Sequence, residues 1–356
     1  MARVDKLLGI LRKNGGSDLH ISPENPPVVR ISGDLFPLGE RKMQPDETCS
    51  LLLEIMTESQ RKDFERTSDI DFAYEVPELD SRFRVNVFQG YHGVSGVFRL
   101  IPNEILSINE LKLPEVVLEF TRFSKGLVLV TGPTGSGKST TLASIIDHIN
   151  SNSKSHIITI EDPIEFVHAS KTALVNQREV GNHTRSFAAA LRAALREDPD
   201  IILVGEMRDL ETIELAITAA ETGHLVFGTL HTSSAAKTVD RIINVFPTDQ
   251  QEQIRTMLAE SMLGVVAQQL VRTVDGKRRA AVEILFVTSA VSNLIREGKT
   301  YQIPSVIQTG KKRGMQMMDQ DLLEFVKRRI ITVEEAHKYA SDKSLFPIDT
   351  EGLLYR

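Results

Sequence analysis

One stretch limits the possible folds of this chain more than any other. It runs from residue 126 to residue 141 and reads Gly-Leu-Val-Leu-Val-Thr-Gly-Pro-Thr-Gly-Ser-Gly-Lys-Ser-Thr-Thr. The apolar run 127–130 predicts a buried strand, and a helical pattern begins at Lys138. A glycine-rich loop between a strand and a helix, with this spacing over residues 132–139, fits the template of a phosphate-binding P-loop. The flanking strand and helix disfavour the alternative, a glycine-rich turn without a ligand.

The residues of this loop supply what a bound nucleoside triphosphate needs. Glycines allow backbone N–H groups to surround phosphate oxygens, and the positive end of the following helix adds to the attraction. We expect Lys138 to reach the β- and γ-phosphates of ATP and the Ser139 hydroxyl to bind Mg²⁺. The predicted nucleotide-binding residues are Gly132, Pro133, Thr134, Gly135, Ser136, Gly137, Lys138, Ser139 and Thr140.

The composition narrows the class of protein. With 42 basic and 48 acidic residues, the net charge of −6 gives the whole chain no electrostatic bias toward nucleic acid. A single cysteine, Cys49, leaves no internal disulfide, which suits a reducing cytosol. The chain shows no secretory apolar segment, and no apolar run reaches the roughly 18 residues of a spanning helix. We therefore expect a cytoplasmic protein without a transmembrane segment, linked to a membrane only through a partner.

A chain of 356 residues is long for a single core, which favours two domains. Residues 1–101 mix strand patterns with two helical patterns, which predicts a small α+β domain with an antiparallel sheet. The polar stretch 102–111 is predicted to be a linker. Residues 112–356 alternate strands and helices, which predicts an α/β domain with a parallel sheet.

Three further predicted strands of the second domain end in residues suited to ATP chemistry. These strands are predicted at 155–162, 200–206 and 224–231. In chain order, they end in two acids, one acid and one histidine: Glu161 and Asp162, then Glu206, then His231. Because the carboxyl ends of parallel strands share one edge of the sheet, we expect these side chains to lie beside the P-loop.

Glu206 follows the apolar run 201–204 as in a Walker B strand, although position 205 is Gly where Asp is usual. Glu206 therefore either polarises the attacking water or helps to hold the metal, and we favour the water. Glu161 and Asp162 are candidates to hold Mg²⁺ or its waters. We count Glu161 with the catalytic residues and Asp162 with the metal ligands.

His231 is a candidate to contact the γ-phosphate. His224 begins the same predicted strand seven residues earlier. At about 3.3 Å per residue, a straight strand separates the two histidines by more than about 20 Å, so they cannot both contact one phosphate. A structural or interface role for His224 is equally open. Glu165 is a weaker metal candidate, and both Asp162 and Glu165 have the alternative of capping a helix.

Four segments in order resemble the motifs of the type II/IV secretion ATPase superfamily. The loop at 132–141 is similar to its Walker A motif, 160–165 (Ile-Glu-Asp-Pro-Ile-Glu) to its Asp box, 196–209 to its atypical Walker B motif and 222–232 to its His box. In that superfamily Gly normally precedes the Walker B Glu, so the resemblance accounts for position 205. It covers nearly the whole chain and implies a RecA-like P-loop ATPase domain with a helical C-terminal region, preceded by a smaller PAS-like α+β domain.

Within the superfamily the chain is most similar to the type IV pilus retraction ATPases. Residues 291–299 partly match a C-terminal signature of that group, with Ser292 in place of an Arg, and the chain has no Cys-x-x-Cys pair of the kind that assembly ATPases commonly carry. The resemblance implies a homohexameric ATPase of pilus retraction and twitching motility at the inner membrane. Its expected partners are an inner-membrane pilus platform protein and the pilus machinery.

The resemblance also gives a role to two arginines of the first domain. By themselves Arg84 and Arg99 fit ordinary solvent-facing positions on strands. In the superfamily, the matching arginines close onto the phosphates of nucleotide bound between the domains, as arginine fingers do. Arg82 lies on the same predicted strand face as Arg84 and remains an alternative to it.

Other functions remain in competition with retraction. A pilus-assembly or type II secretion ATPase is disfavoured by the short chain and the missing Cys pairs. A nucleic-acid motor is disfavoured by the acidic balance, and a non-catalytic ATP switch by the intact Lys138, Ser139 and Glu206. The sequence leaves open the ring symmetry, the direction of stepping, the pilin served, and whether the motor is a primary or a helper one.

Overall fold

The computed structural model describes residues 2–31, 33–101 and 104–348. Packing divides the chain into two compact units. The first reaches to Glu104 and includes Pro163–Val167, and the second comprises Ile105–Asp162 and the chain from His168 onward. The division between Glu104 and Ile105 falls inside the predicted linker 102–111, of which residues 102 and 103 lie outside the described part of the chain.

The first unit is an antiparallel sheet packed with helices. Its helices are α1 (Asp5–Lys13), α2 (Pro45–Leu53) and α3 (Glu58–Thr67). Its strands are β1 (Asp18–Ile21), β2 (Val28–Ile31), β3 (Asp34–Pro37), β4 (Asp69–Val76), β5 (Ser81–Gly90) and β6 (Gly93–Ile101). They form the order β3-β2-β1-β6-β5-β4, with every neighbouring pair antiparallel. The predicted α+β unit with an antiparallel sheet is confirmed.

Alternation along the strands places the core of the first unit on one face of its sheet. In β5, Phe83, Val85 and Val87 are fully buried, while the residues between them are partly exposed. The prediction of two helices here is wrong, because α3 is a third. This helix buries Phe64 alone, so it has almost no apolar periodicity, although the Thr57 capping box at its start was a signal in the sequence.

The second unit is an α/β structure around a mostly parallel sheet. Its strands are β7 (Gly126–Thr131), β8 (His156–Glu161), β9 (Leu174–Glu179), β10 (Ile201–Val204), β11 (Leu225–Leu230), β12 (Met262–Arg272) and β13 (Arg278–Phe286). Its α-helices are α4 (Lys138–Asn152), α5 (Phe187–Ala194), α6 (Leu210–Glu221), α7 (Ala235–Val245), α8 (Gln251–Ser261), α9 (Ser289–Arg296), α10 (Ile303–Thr309), α11 (Met318–Lys327) and α12 (Val333–Tyr339).

The strand order of this sheet is β13-β12-β7-β11-β10-β8-β9, and only the β12–β13 pair is antiparallel. Both faces carry a core, which is why the central strands are apolar throughout. Leu127 and Leu129 of β7 pack into one core, and Val128 and Val130 pack into the other. The predicted parallel α/β unit is confirmed, and the strand that precedes the P-loop lies near its centre.

The region expected to be helical does not start as helix. A long hairpin, β12–β13, first extends the sheet, and β12 runs parallel to β7 with Ala267 beside Thr131. Helices α9 to α12 follow the hairpin. No helix within the described ranges combines the length and apolar character needed to cross a membrane.

Candidate nucleotide-binding site

The P-loop is formed between β7 and α4. The strand ends at Thr131 and the helix begins at Lys138, with Gly137 as its N-terminal cap in the left-handed conformation at φ 89°. The Lys138 ammonium donates to the carbonyl oxygens of Gly132 at 2.9 Å and Pro133 at 3.1 Å. The lysine therefore lies across its own loop, at the start of a helix whose N–H groups attract anions.

The hydroxyl and carboxylate groups of this region are suited to Mg²⁺. Ser139 is exposed in the first turn of α4, and Asp162 is exposed just after β8. Both offer hard oxygen ligands, and Mg²⁺ usually takes one or two protein ligands together with water and phosphate oxygens. Within residues 2–31, 33–101 and 104–348, no group of three or more His, Cys, Asp or Glu side chains could hold a metal ion alone. The donors present fit a Mg²⁺ that arrives with a nucleotide.

The segment after β10 is clamped between its two neighbouring strands. The N–H of Gly205 donates to the Ile160 carbonyl at 2.8 Å, and the N–H of Met207 donates to the Thr229 carbonyl at 3.0 Å. The Thr229 hydroxyl also donates to the Gly205 carbonyl. Glu206 therefore projects from a backbone that is fixed on both sides.

The close approach of β8 explains why position 205 is glycine. A Cβ there would lie 3.0 Å from the Ile160 carbonyl oxygen and 3.2 Å from the Glu161 Cα. The Asp of a usual Walker B motif would press against this backbone. The first acidic residue after β10 is therefore Glu206.

An arginine and a histidine converge on one oxygen of Glu206. Its Oε1 lies 2.5 Å from Arg208 Nε and 2.9 Å from His231 Nε2. Burial alone raises the pKa of Glu206, but the hydrogen bond and charge of Arg208, followed by His231, outweigh it and lower the pKa. The carboxylate is 18% exposed and the arginine 71%. Glu206 is therefore held ionised, as a group that orients water must be.

The acids at the end of β8 have different surroundings. Glu161 Oε1 accepts from the Thr159 hydroxyl at 2.6 Å and from Gln177 Nε2 at 3.1 Å, so this oxygen is used within the sheet. Asp162 is exposed, and its charge contributes to raising the pKa of Arg208. Glu165 belongs to the stretch 163–167 that packs with the first unit.

The two histidines of the His box region are separated as expected. His231 directly follows β11 and contacts Glu206. His224 precedes the same strand, where its Nδ1 lies 3.0 Å from the Ala219 carbonyl at the end of α6. This contact supports a local structural role for His224.

Within the first unit, Arg84 and Arg99 are direct cross-strand partners on β5 and β6. Arg84 makes a bidentate contact with Asp71, at 2.5 Å from Nη2 and 3.0 Å from Nε. Arg99 Nε donates to the buried Asp18 at 2.8 Å. Both arginines therefore have carboxylate partners in their own unit.

A cleft of about 690 Å³ opens beside the first turn of α4. This volume is typical of sites for small ligands and cofactors. Its walls combine apolar side chains with basic and acidic ones: Leu106, Glu110, Leu111, Lys112, Leu113, Gly137, Thr140, Thr141, Gln268, Leu270, Thr273, Val274, Asp275, Lys277, Arg278, Arg279, Ala280 and Ile330. The phosphate-binding loop thus lies next to a mixed apolar and polar cleft.

Two residues of this site, Arg208 and Gln268, were not predicted from the sequence. Arg208 stands two positions after Glu206, and the Glu-x-Arg spacing was visible, but no spacing rule shows that the two side chains meet. Gln268 is buried on β12 and contacts Ser136 of the P-loop and Thr141 of α4. A glutamine pair at 268–269 inside an apolar run was the available signal, since a buried amide needs partners.

Fold and site together define a P-loop nucleotide-binding protein with a mainly parallel α/β core. Residues 2–341 match the family described as Type II/IV secretion system protein. The chain belongs to this family, as the four motifs indicated.

The chain is also similar to named proteins and to a solved structure. It is 52% identical over 337 residues to the type IV pilus retraction ATPase PilT of Pseudomonas aeruginosa, covering 95% of this chain and 98% of that protein. It is 53% identical over 317 residues to a twitching motility protein of Neisseria gonorrhoeae, covering 89% and 84%. A crystal structure of the pilus retraction motor PilT with bound ADP aligns with a TM-score of 0.89 at 46% identity, covering 97% and 98%.

Proposed function

We propose that this protein is an ATP-hydrolysing motor that powers the retraction of type IV pili. The observation that carries the proposal is the 52% identity with the retraction ATPase PilT over 95% of this chain. The P-loop after β7 and Glu206 after β10, at the same edge of the parallel sheet, independently support the ATP-hydrolysing part of the proposal. These observations do not favour the alternatives, which are pilus assembly, type II secretion and nucleic-acid translocation.

The roles of the site residues follow from their chemistry. The P-loop, Gly132 to Thr140, holds the phosphates of ATP, and Lys138 exchanges its contacts with loop carbonyls for phosphate oxygens. The cleft beside α4 takes the base and ribose. Ser139 and Asp162 hold Mg²⁺, which supplies positive charge to the phosphates when it is bound.

Hydrolysis depends on the residues that follow β8, β10 and β11. Glu206 accepts a hydrogen bond from the attacking water, which orients a lone pair of the water oxygen toward the γ-phosphate. His231 shares Glu206 Oε1 with Arg208, so it is placed to respond when that carboxylate changes partners. Glu161 supports the metal's water shell.

Arg84 and Arg99 are proposed to neutralise charge on the phosphates in the transition state, as arginine fingers do. Each would exchange a carboxylate, Asp71 or Asp18, for phosphate oxygens. We also propose a homohexamer in the cytoplasm, peripheral to the inner membrane. Its partners are the pilus platform protein and the pilus machinery.

The test is a strain in which the only copy of the gene for this protein carries Glu206→Gln. This substitution keeps the shape of the side chain and removes its charge. Purified variant protein should bind ATP with turnover reduced about 100-fold or more, the scale of acid–base catalysis. Cells should carry many surface pili and show no surface motility. The matched control is Glu214→Gln, an exposed glutamate on α6 outside the site, which should behave as wild type.

Other results would select other functions. Few or no pili would mean that the motor assembles pili or secretes protein, and the retraction proposal would be wrong while the ATPase proposal stood. An unchanged phenotype would point to a helper motor or to a role outside pili. Turnover that rises with added DNA would favour a nucleic-acid motor.

A further inference from the structure

Gln268 is a buried amide that touches the P-loop from a neighbouring strand. It lies on β12, one residue after Ala267, which is in register with Thr131 at the end of β7. The side chain is almost completely buried, with the residue 3% exposed. Its Nε2 donates to the Ser136 carbonyl at 2.7 Å, and its Oε1 accepts from the Thr141 hydroxyl at 2.8 Å. Both polar atoms of the amide are engaged, as burial of an amide requires.

These contacts reach the loop and the helix that follows it. Ser136 lies inside the loop and Thr141 lies in the first turn of α4. The backbone oxygen of Gln268 also lies close to Gly132, where a Cβ would come within 2.2 Å of it. One residue of β12 therefore borders the beginning and the end of the phosphate-binding loop.

The contact to Ser136 has a directional consequence. A trans peptide is planar, and its C=O and N–H point in opposite directions. Because Gln268 holds the Ser136 carbonyl on its own side, the N–H of Gly137 points away from β12. In a P-loop, backbone N–H groups that face the loop interior bind phosphate oxygens. Gln268 thus selects the peptide orientation that an anion needs.

We propose that Gln268 is a positioning residue for nucleotide binding, which fixes the Ser136–Gly137 peptide with its N–H toward the phosphates. The inference rests on the proposed function of the loop in binding ATP. Gln268 acts through the loop, since its amide oxygen and nitrogen are occupied by Thr141 and Ser136. Its loss should weaken nucleotide binding while leaving the chemical step with Glu206 intact.

The test compares Gln268→Met, which keeps the length and removes both hydrogen bonds, with Gln269→Met on the same strand. Gln269 points to the other face, and its Nε2 donates to the Leu270 carbonyl at 3.2 Å. For Gln268→Met we expect the Kd for ADP and the KM for ATP to rise about tenfold, which equals 1.4 kcal/mol, while kcat stays within about twofold. Gln269→Met should match wild type.

A second pair of variants, Thr141→Val and Gln268→Glu, tests the two hydrogen bonds of Gln268 separately. It also keeps the inference testable if Gln268→Met folds poorly. Thr141→Val removes one hydrogen bond but leaves the hold on Ser136, so its Kd for ADP should rise by only about two- to threefold. Gln268→Glu keeps an acceptor for Thr141 and loses the donor to Ser136, so its Kd should rise at least tenfold. Melting temperatures without nucleotide are measured for each variant.

The outcomes separate this inference from the proposed function. If wild type binds ADP and both Gln268 variants bind it equally well, Gln268 has a purely structural role and the inference fails alone. A fall in kcat at constant KM would also overturn it. If wild type binds no ADP, the proposed function and the inference fall together. A motor that binds ADP as expected but does not retract pili would contradict only the proposed function.

Discussion

Replacing Gly132 by alanine tests the geometry of the P-loop directly. The residue has φ +147°, and a Cβ there would lie 2.2 Å from the backbone oxygen of Gln268 and 2.5 Å from Ser136 Oγ. The first of these atoms belongs to the β12 backbone, which is bonded into the sheet and cannot yield as a flexible side chain would. Gly135 in the same loop offers a matched control, because its φ is +78° and nothing lies within 4 Å of a Cβ placed there.

The difference between the two variants can be estimated from these contacts. Both place a side chain at positive φ. For Gly135, near the left-handed region, this costs about 1–2 kcal/mol, and for Gly132, at φ +147° and outside that region, it costs at least as much. Gly132→Ala adds the overpacking against β12 and Ser136, about 1–3 kcal/mol. For a domain of this size, 1 kcal/mol lowers the melting temperature by about 2–4 °C. Gly132→Ala should therefore melt about 2–12 °C below Gly135→Ala.

The assay is thermal unfolding of both variants without nucleotide, followed by the same measurement with ADP. Gly132→Ala should also lose most of the stabilisation by ADP, because its loop must shift away from β12. Equal melting temperatures for the two variants would refute the close approach of Gln268 to the loop. A lower temperature for Gly135→Ala would refute the reasoning altogether.

Two pH-dependent predictions follow from the carboxylates of the second unit. Arg208 lowers the pKa of Glu206, so Arg208→Gln should raise that pKa and move the acid limb of ATP turnover to higher pH, and an unmoved pH profile would contradict the pairing. Burial raises the pKa of Asp321 to about 6, so folding favours its protonated form. The free energy of unfolding should therefore fall by up to about 3 kcal/mol as the pH rises from about 4 through 6. Asp321→Asn, whose oxygen can still accept from the Val282 N–H, should flatten the dependence of the melting temperature on pH between pH 4 and pH 7. An unchanged slope would count against the raised pKa of Asp321.

The sequence predicts the parts of the site that obey strand order. A buried strand, a glycine loop and a helix predicted the position of the P-loop, and the ends of the following strands predicted the positions of Glu206 and His231. These predictions work because a parallel sheet brings its carboxyl ends to one edge, whatever the details of packing. The structure then shows Glu206 and His231 in contact.

The elements that were missed lack such a rule. Helix α3 is mostly polar, so its apolar periodicity is too weak to predict it. The partners of Arg84 and Arg99 depend on strand register, and register between β1 and β6 follows from pairings some 80 residues apart in sequence. The pairing of Arg208 with Glu206 depends on side-chain direction after a clamped turn, which spacing alone does not give.

The residues that hold the site in shape share one property, which is a polar side chain directed at backbone or hydroxyl groups of a neighbouring element. Gln268 ties β12 to the P-loop, and the Thr229 hydroxyl ties β11 to the turn that carries Glu206. The Thr238 hydroxyl of α7 lies 2.7 Å from the Thr232 hydroxyl and 3.4 Å from the Thr131 hydroxyl, and it donates to the Ser234 carbonyl at 2.7 Å. These ties link the loop after β7 with the loops after β10 and β11. A displacement of the P-loop or of the turn that carries Glu206 would therefore break a hydrogen bond to β12 or β11 unless that strand moved with it.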